Sequence, residues 1–315
     1  MIMPQDLLFC GFLERRACAI DPSMAQASEP YLIAVDGGGS GCRAVVATHA
    51  GQVLGEGSAG PANATTDLVQ AIGNSRRAIG AALHAAALSQ DALQTSVGHL
   101  GLAGALTNEV ALRIAADCGV RRVTVSDDLE TAVAGAFGTR DGVLVSVGTG
   151  SVLAARQGGA LVRLGGWGLQ VSDQASGAWL GRALLERVLL CHDGLEQHSA
   201  LTLEVLENTG GTAMSIVGFA STARPADFAR FAPLVAAAPQ DRHGRALMQD
   251  GAEYLRRALM VLDPDGTTPV CLTGGLGPVY ADWLPPKIQA RLEAPAGTAL
   301  DGALQMARDA AERGE

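Results

Sequence analysis

An aspartate followed by three glycines and a serine, Asp36-Gly37-Gly38-Gly39-Ser40, is the part of this sequence best suited to chemistry. Glycine has no Cβ, so such a turn lets backbone N–H groups approach a phosphate and point at it. A carboxylate at the head of the turn can hold Mg²⁺, directly or through water, against the same phosphate. Two more glycine turns follow, Gly148-Thr149-Gly150-Ser151 and Gly274-Gly275-Leu276-Gly277. Between the first two lies Ser126-Asp127-Asp128, whose carboxylates are suited to accept a proton. Together the three turns can enclose a nucleotide, which raises the question of whether this protein handles ATP.

The elements that must position them are legible from the pattern. Tyr31–Val35 reads as a buried strand that ends at Asp36. No Gly-Lys-Ser/Thr follows, so this is not a Walker A loop. No helix follows either, which excludes the dinucleotide fingerprint. Instead a second strand, Arg43–Ala47, leads through a hairpin to a third, Gln52–Glu56. A loop with Pro61-Ala62-Asn63-Ala64 precedes a helix over 67–88, then a strand over 97–104, a helix Asn108–Asp117 and a strand Val123–Val125. Asp127 and Asp128 close that strand, and a helix Leu129–Phe137 follows. Then the opening repeats: strand Val143–Val147, glycine turn, strand Val152–Arg156, a Gly158-Gly159 hairpin and a strand Leu161–Leu164. This duplication predicts two like α/β halves facing a cleft, each with a phosphate hairpin. We expect an N-terminal half over 31–139 and a C-terminal half over 140–315. The second half carries a helical insertion between 174 and 260 and a short strand Val270–Thr273 before the third glycine turn. The final helix, Ala299–Ala311, is expected to pack back on the hinge, and the halves to close on substrate.

Composition limits the partners. The 315 residues are 48% hydrophobic but only 4% aromatic, so the cores are aliphatic and closely packed. A net charge of −9 without a Lys/Arg cluster argues against nucleic acid or an anionic membrane. Cysteines at 10, 18, 42, 118, 191 and 271 show no CxxC spacing, which suggests reduced thiols in the cytoplasm. Residues 1–30 lack a continuous apolar stretch of signal-peptide length, and Met24 lies just upstream of the first strand. They read as a loose arm or an over-long gene start.

In this order, the Asp36 turn, Ser126-Asp127-Asp128, the Gly148 turn, Gly165-Gly166-Trp167-Gly168 and Leu272-Thr273-Gly274-Gly275 resemble the N-acetylglucosamine and glucosamine kinases over residues 31–312. These belong to the actin/hexokinase/Hsp70-type ATPases and share a sequence family with the ATPases that activate benzoyl-CoA reductase. The resemblance implies two ribonuclease-H-like domains, ATP and Mg²⁺ as cofactors, and phosphorylation of N-acetylglucosamine, or glucosamine, at the 6-hydroxyl. A homodimer is also expected. It further implies that Gly37, Gly38, Gly39, Ser40, Gly148, Thr149, Gly150, Gly274 and Gly275 hold the nucleotide, and that Asp36 positions the metal. Asn63, Asp128, Ser151, Gly166, Trp167 and Asp173 fall on the sugar side.

The family's catalytic aspartate is followed by a helix and, about twenty residues later, by the second phosphate turn. This spacing favours Asp128, with Asp127 as the register alternative. Asp127 has an ordinary role open to it as the helix cap. Asn63 could equally be a plain turn residue, and Trp167 a core residue. Relatives usually read Gly-Asp-Glu-Gly-Ser where this chain has Ser172-Asp173-Gln174-Ala175-Ser176. A loop that needs positive φ at 172 or 175 is therefore expected to sit differently. Three other readings stay open. A reductase-activating ATPase would need cysteines for an Fe–S cluster, and Cys118 and Cys191 stand outside any cluster motif. The repressor/kinase group carries a compact Cys/His zinc motif that is missing here. A non-catalytic sugar or nucleotide sensor differs only in turnover.

Overall fold

The computed structural model describes residues 29–314. The N-terminal extension read from the sequence falls outside these apart from its last two residues. Along the chain run β1 (Leu32–Gly37), β2 (Cys42–Ala47), β3 (Val53–Ala59), α1 (Leu68–Ala85), β4 (Val97–Leu102), α2 (Asn108–Asp117), β5 (Arg122–Ser126) and α3 (Asp128–Phe137). The same opening recurs in β6 (Gly142–Val147), β7 (Ser151–Gln157) and β8 (Ala160–Gly165). A helical stretch follows: α4 (Gly177–His192), α5 (Ala200–Asn208), α6 (Ala213–Thr222), α7 (Pro225–Ala229), α8 (Ala232–Ala236) and α9 (Arg242–Leu262). The chain ends with β9 (Val270–Thr273), α10 (Pro286–Gln289) and α11 (Ala299–Arg313).

Two sheets form, in the orders β3-β2-β1-β4-β5 and β8-β7-β6-β9. In each, the strand before the glycine turn pairs antiparallel with its hairpin partner and parallel with a later strand on its other side. The glycine turns therefore sit at corresponding strand ends.

Both central strands are covered on two faces, which is why they read as unbroken apolar runs. Alternate β1 residues face opposite ways. Ile33 and Val35 join the core beneath α1, whereas Leu32 and Ala34 pack with Ala303, Ala307 and Ala310 of α11. The C-terminal helix thus lies on the first sheet, although its sequence follows the second. In the second sheet Val143, Val145 and Val147 join the large core of α4 and α9, and Leu144 and Cys271 face Val133 and Phe137 of α3. Burying each such aliphatic side chain contributes about 1.5–3 kcal/mol. α3 therefore sits between α11 and the second sheet. Its contact with α11 is backbone-close: a Cβ on Gly302 would come within 2.0 Å of the Thr131 carbonyl oxygen. The N-terminus of α3, which carries Asp127 and Asp128, is fixed by both halves.

Candidate phosphoryl-transfer site

Asp36 is the penultimate residue of β1, and the β1–β2 register sets Arg43 directly across from it. The two form an ion pair at 2.7 Å, with the Asp36 side chain 19% exposed and that of Arg43 58% exposed. Gly38 N–H donates to the Gly41 carbonyl and closes the turn. Nothing would lie within 4 Å of a Cβ at Gly38 or Gly39, so the backbone faces open space. A cavity of about 370 Å³ borders Asp36, Gly38, Ser40 and Arg43. One carboxylate and one hydroxyl beside open backbone N–H groups suit Mg²⁺, which takes few protein ligands and completes its shell with phosphate and water.

The second and third glycine turns end the adjacent strands β6 and β9. Leu276 and Gly277 N–H both donate to the Val147 carbonyl, and Gly148 O accepts from Gly177 N–H at the start of α4. Gly274 has φ +79°, and a Cβ there would meet the Val147 oxygen at 2.3 Å. Only glycine permits this approach.

Asp127 is the N-cap of α3. Its Oδ1 accepts from Leu129 N–H at 2.9 Å, and its Oδ2 lies 3.3 Å from Nη1 of Arg163 on β8. Asp128, the first helical residue, hydrogen-bonds to Asp127 through its carboxyl. Burial first, then that hydrogen bond and the charges of Asp127 and Asp36, push the Asp128 carboxyl up to about 8, against a smaller opposing effect of Arg163. Within the pair, burial and the neighbouring Asp127 carboxylate favour the protonated form of Asp128.

The pH dependence of stability follows. Native Asp128 keeps its proton to about pH 8, whereas the unfolded chain releases it near its ordinary value of 3.8. Between these values the native state binds more protons, so stability falls as pH rises through the window. Asp128→Asn cannot ionise and escapes this loss. Its Tm should match wild type near pH 4 and exceed it by about 5 °C at pH 8, allowing for solvent screening. Thermal melts across that range check this; a constant offset would detach Asp128 from the pH dependence.

Asp173 lies in the loop before α4 and has φ +62°, as does Ala175 at +69°. These are left-handed conformations that cost a residue with a Cβ about 1–2 kcal/mol. Position 175 does need positive φ. Ala175 itself adopts the strained conformation, held by full burial and by Tyr280, whose hydroxyl donates to its carbonyl at 2.8 Å. Asp173 Oδ1 accepts from Gly168 N–H at 3.0 Å, and its Oδ2 borders Gly150, where a Cβ would lie 2.9 Å away. Burial raises the Asp173 carboxyl, while the Gly168 N–H and the Arg163 charge oppose this. Strain of this kind, beside a glycine turn, clusters at functional sites and keeps this loop among the candidates.

The remaining candidates divide. Asn63 Oδ1 accepts from Thr65 and Thr66 N–H and serves the turn. Ser151 is buried and donates to the Gln174 carbonyl at 2.7 Å, bracing the Asp173 loop. Trp167 is 71% exposed, so it is no core residue. Gly166, at φ +74°, borders Arg163. Arg43, Arg163 and Tyr280 were not foreseen. Elsewhere, Cys191, Glu196 and His243 lie close enough to share a metal ion. Arg187 pairs with Glu196, and Arg242 reaches His243, so positive charge already fills that corner. Cys118 and Cys191 are both buried.

Residues 33–280 match the profile of the BadF/BadG/BcrA/BcrD ATPase family. The chain belongs to this family. Among curated relatives, the glucosamine kinase GspK of Vibrio cholerae is 31% identical over 280 residues, covering 88% of this chain and 95% of that protein. An N-acetylmuramic acid/N-acetylglucosamine kinase of Clostridium acetobutylicum is 28% identical over 184 residues, 56% of this chain and 59% of that protein. Among solved structures, a Chromobacterium violaceum protein provisionally designated an N-acetylglucosamine kinase superposes with a TM-score of 0.81 at 35% identity, covering 89% of this chain and 99% of that one. A ROK family glucokinase from Streptomyces griseus shares the fold, with a TM-score of 0.53 at 16% identity over 90% of this chain and 99% of that one. This member of the BadF/BadG/BcrA/BcrD family therefore has the two-domain actin-like ATPase fold and is a phosphotransferase with an alcohol acceptor. No helix among its described residues is long and apolar enough to cross a membrane.

Proposed function

We propose that this protein transfers the γ-phosphoryl group of ATP to the 6-hydroxyl of an amino sugar, with N-acetylglucosamine preferred. One observation carries the reading. Charged side chains bridge the space from the first glycine turn to the second: the charge of Asp36 acts on Asp128, Asp128 bonds Asp127, Asp127 pairs with Arg163, and the charge of Arg163 acts on Asp173, which abuts Gly150. Phosphoryl transfer needs this arrangement of phosphate cradles with a carboxylate between them.

Asp127 is the favoured base. It is the member of the pair that faces the opposite half, where its Oδ2 lies 3.3 Å from Arg163. An aspartate is a weak base in the ground state, so it orients the hydroxyl and takes the proton late, as the oxygen becomes acidic. Asp128 keeps Asp127 aimed by donating to it. Backbone N–H groups of Gly37–Ser40 and Gly148–Gly150 receive the phosphates, and Gly274-Gly275 borders the nucleoside. Asp36 would hold Mg²⁺, which supplies charge neutralisation at the phosphates. Residues 31–139 and 140–315 closing on the sugar would exclude water as a competing acceptor. Gln174, where relatives carry a carboxylate, makes the pocket less attractive to a cation and so favours an acetamide over an ammonium group.

A panel of sugars with Mg²⁺ and ATP, scored by ADP release and by the position of the new phosphate, tests the reading. N-acetylglucosamine should give the highest kcat/KM, with product phosphorylated at O6. Tight sugar binding without turnover would make the protein a sensor, and iron in the purified protein would return it to the reductase activators.

A further inference from the structure

Arg163 stands where the two halves meet. It projects from β8, with Nη1 3.3 Å from Asp127 Oδ2 across the cleft. Its Nη2 borders the backbone of Gly166, where a Cβ would lie only 2.8 Å away. Gly165 and Gly166, with φ of +78° and +74°, turn the chain there into the loop that carries Asp173. The guanidinium thus touches Asp127, and its charge also acts on Asp173.

We infer that Arg163 is the residue that discriminates against a charged 2-amino group, so that the neutral acetamido sugar is the substrate class. This rests on the amino-sugar reading above. A hexose is small: with its 6-hydroxyl at Asp127, each of its atoms lies within about 10 Å of a guanidinium that touches Asp127. The argument therefore holds whichever way the ring is turned. Asp127 and Asp173 alone would attract an ammonium group and favour the amine. Arg163 offsets one of those two charges and weakens the attraction. In a partly wetted cleft, one unit charge about 8 Å away changes the affinity of a cation by roughly tenfold, while a neutral acetamide is indifferent.

The test measures kcat and KM for glucosamine and N-acetylglucosamine at about pH 6.5, where the amine is protonated, in wild type, Arg163→Gln and Arg163→Lys. Arg163→Gln should improve glucosamine relative to N-acetylglucosamine by about tenfold, mostly in KM for glucosamine. Arg163→Lys keeps the charge and should keep the wild-type ratio. A common fall in kcat for both sugars reports the lost hold on Asp127 and leaves the ratio alone. The inference is overturned if the ratio in Arg163→Gln stays within twofold of wild type, or if Arg163→Lys shifts it as much as Arg163→Gln does. Wild type inactive on both sugars would instead overturn the amino-sugar reading.

Discussion

Asp127→Asn should lower kcat by about 10²–10³-fold while leaving the nucleotide Kd within twofold. Asparagine fills the same space, and its Oδ1 can still accept from Leu129 N–H, so the α3 cap survives. What is lost is the capacity to take the proton from the acceptor hydroxyl and the charge that pairs with Arg163. Asp128→Asn should behave otherwise. The protonated Asp128 carboxyl donates a hydrogen bond to Asp127, and an asparagine amide donates in the same place. Turnover in that variant should stay within several-fold of wild type, with the gain in stability at pH 8 described above. The pair is therefore decisive. An inactive Asp128→Asn beside an active Asp127→Asn moves the base one residue along, to the position that the motif spacing favours. Two active variants would remove the carboxylate base from the mechanism. Sugar and nucleotide affinities measured by calorimetry in each variant separate lost chemistry from lost binding.

The contrast between Asp127 and Asp128 also marks what sequence reading can reach. The two strand–turn–strand units were legible because buried strands are apolar runs and their turns are glycines, and both signals are local. α2 was read with its observed bounds, Asn108–Asp117. The helical stretch between 174 and 260 was read only coarsely, since α7 and α8 are five residues each and too short to show a period. At the candidate site, residues within recognisable motifs could be singled out from the sequence, and residues reaching in from outside them could not. Arg163 is one arginine on an exposed edge strand, and nothing local says that it meets Asp127, 36 residues away. Tyr280 locks Ala175 from a distance of 105 residues. Ala175 misled for a physical reason: alanine argues against positive φ, and only tertiary packing overrides that preference. Likewise the choice between Asp127 and Asp128 depends on where one shared proton lies. That is set by burial and by neighbours from three elements, none of which a motif records.

Asp36→Asn should lower kcat/KM for ATP by about 10³-fold and abolish the dependence of nucleotide affinity on Mg²⁺. Asp36 is the carboxylate beside the cavity at the first turn, and its partner Arg43 is a largely exposed side chain. Arg43 therefore competes with a divalent cation for the same oxygens. Two consequences distinguish this from a structural defect. Sugar affinity should be unchanged in Asp36→Asn, because the Asp36 carboxylate hydrogen-bonds Arg43 and not the residues placed on the sugar side. Removing the competitor in Arg43→Gln should lower the Mg²⁺ concentration needed for half-maximal activity. If Arg43→Gln instead raises KM for ATP at saturating Mg²⁺, Arg43 reaches the phosphates and the competition model fails. If Asp36→Asn turns over near the wild-type rate, Asp36 has no part in holding the metal. The phosphates would then be neutralised by the glycine turns and cations other than a metal at this strand end.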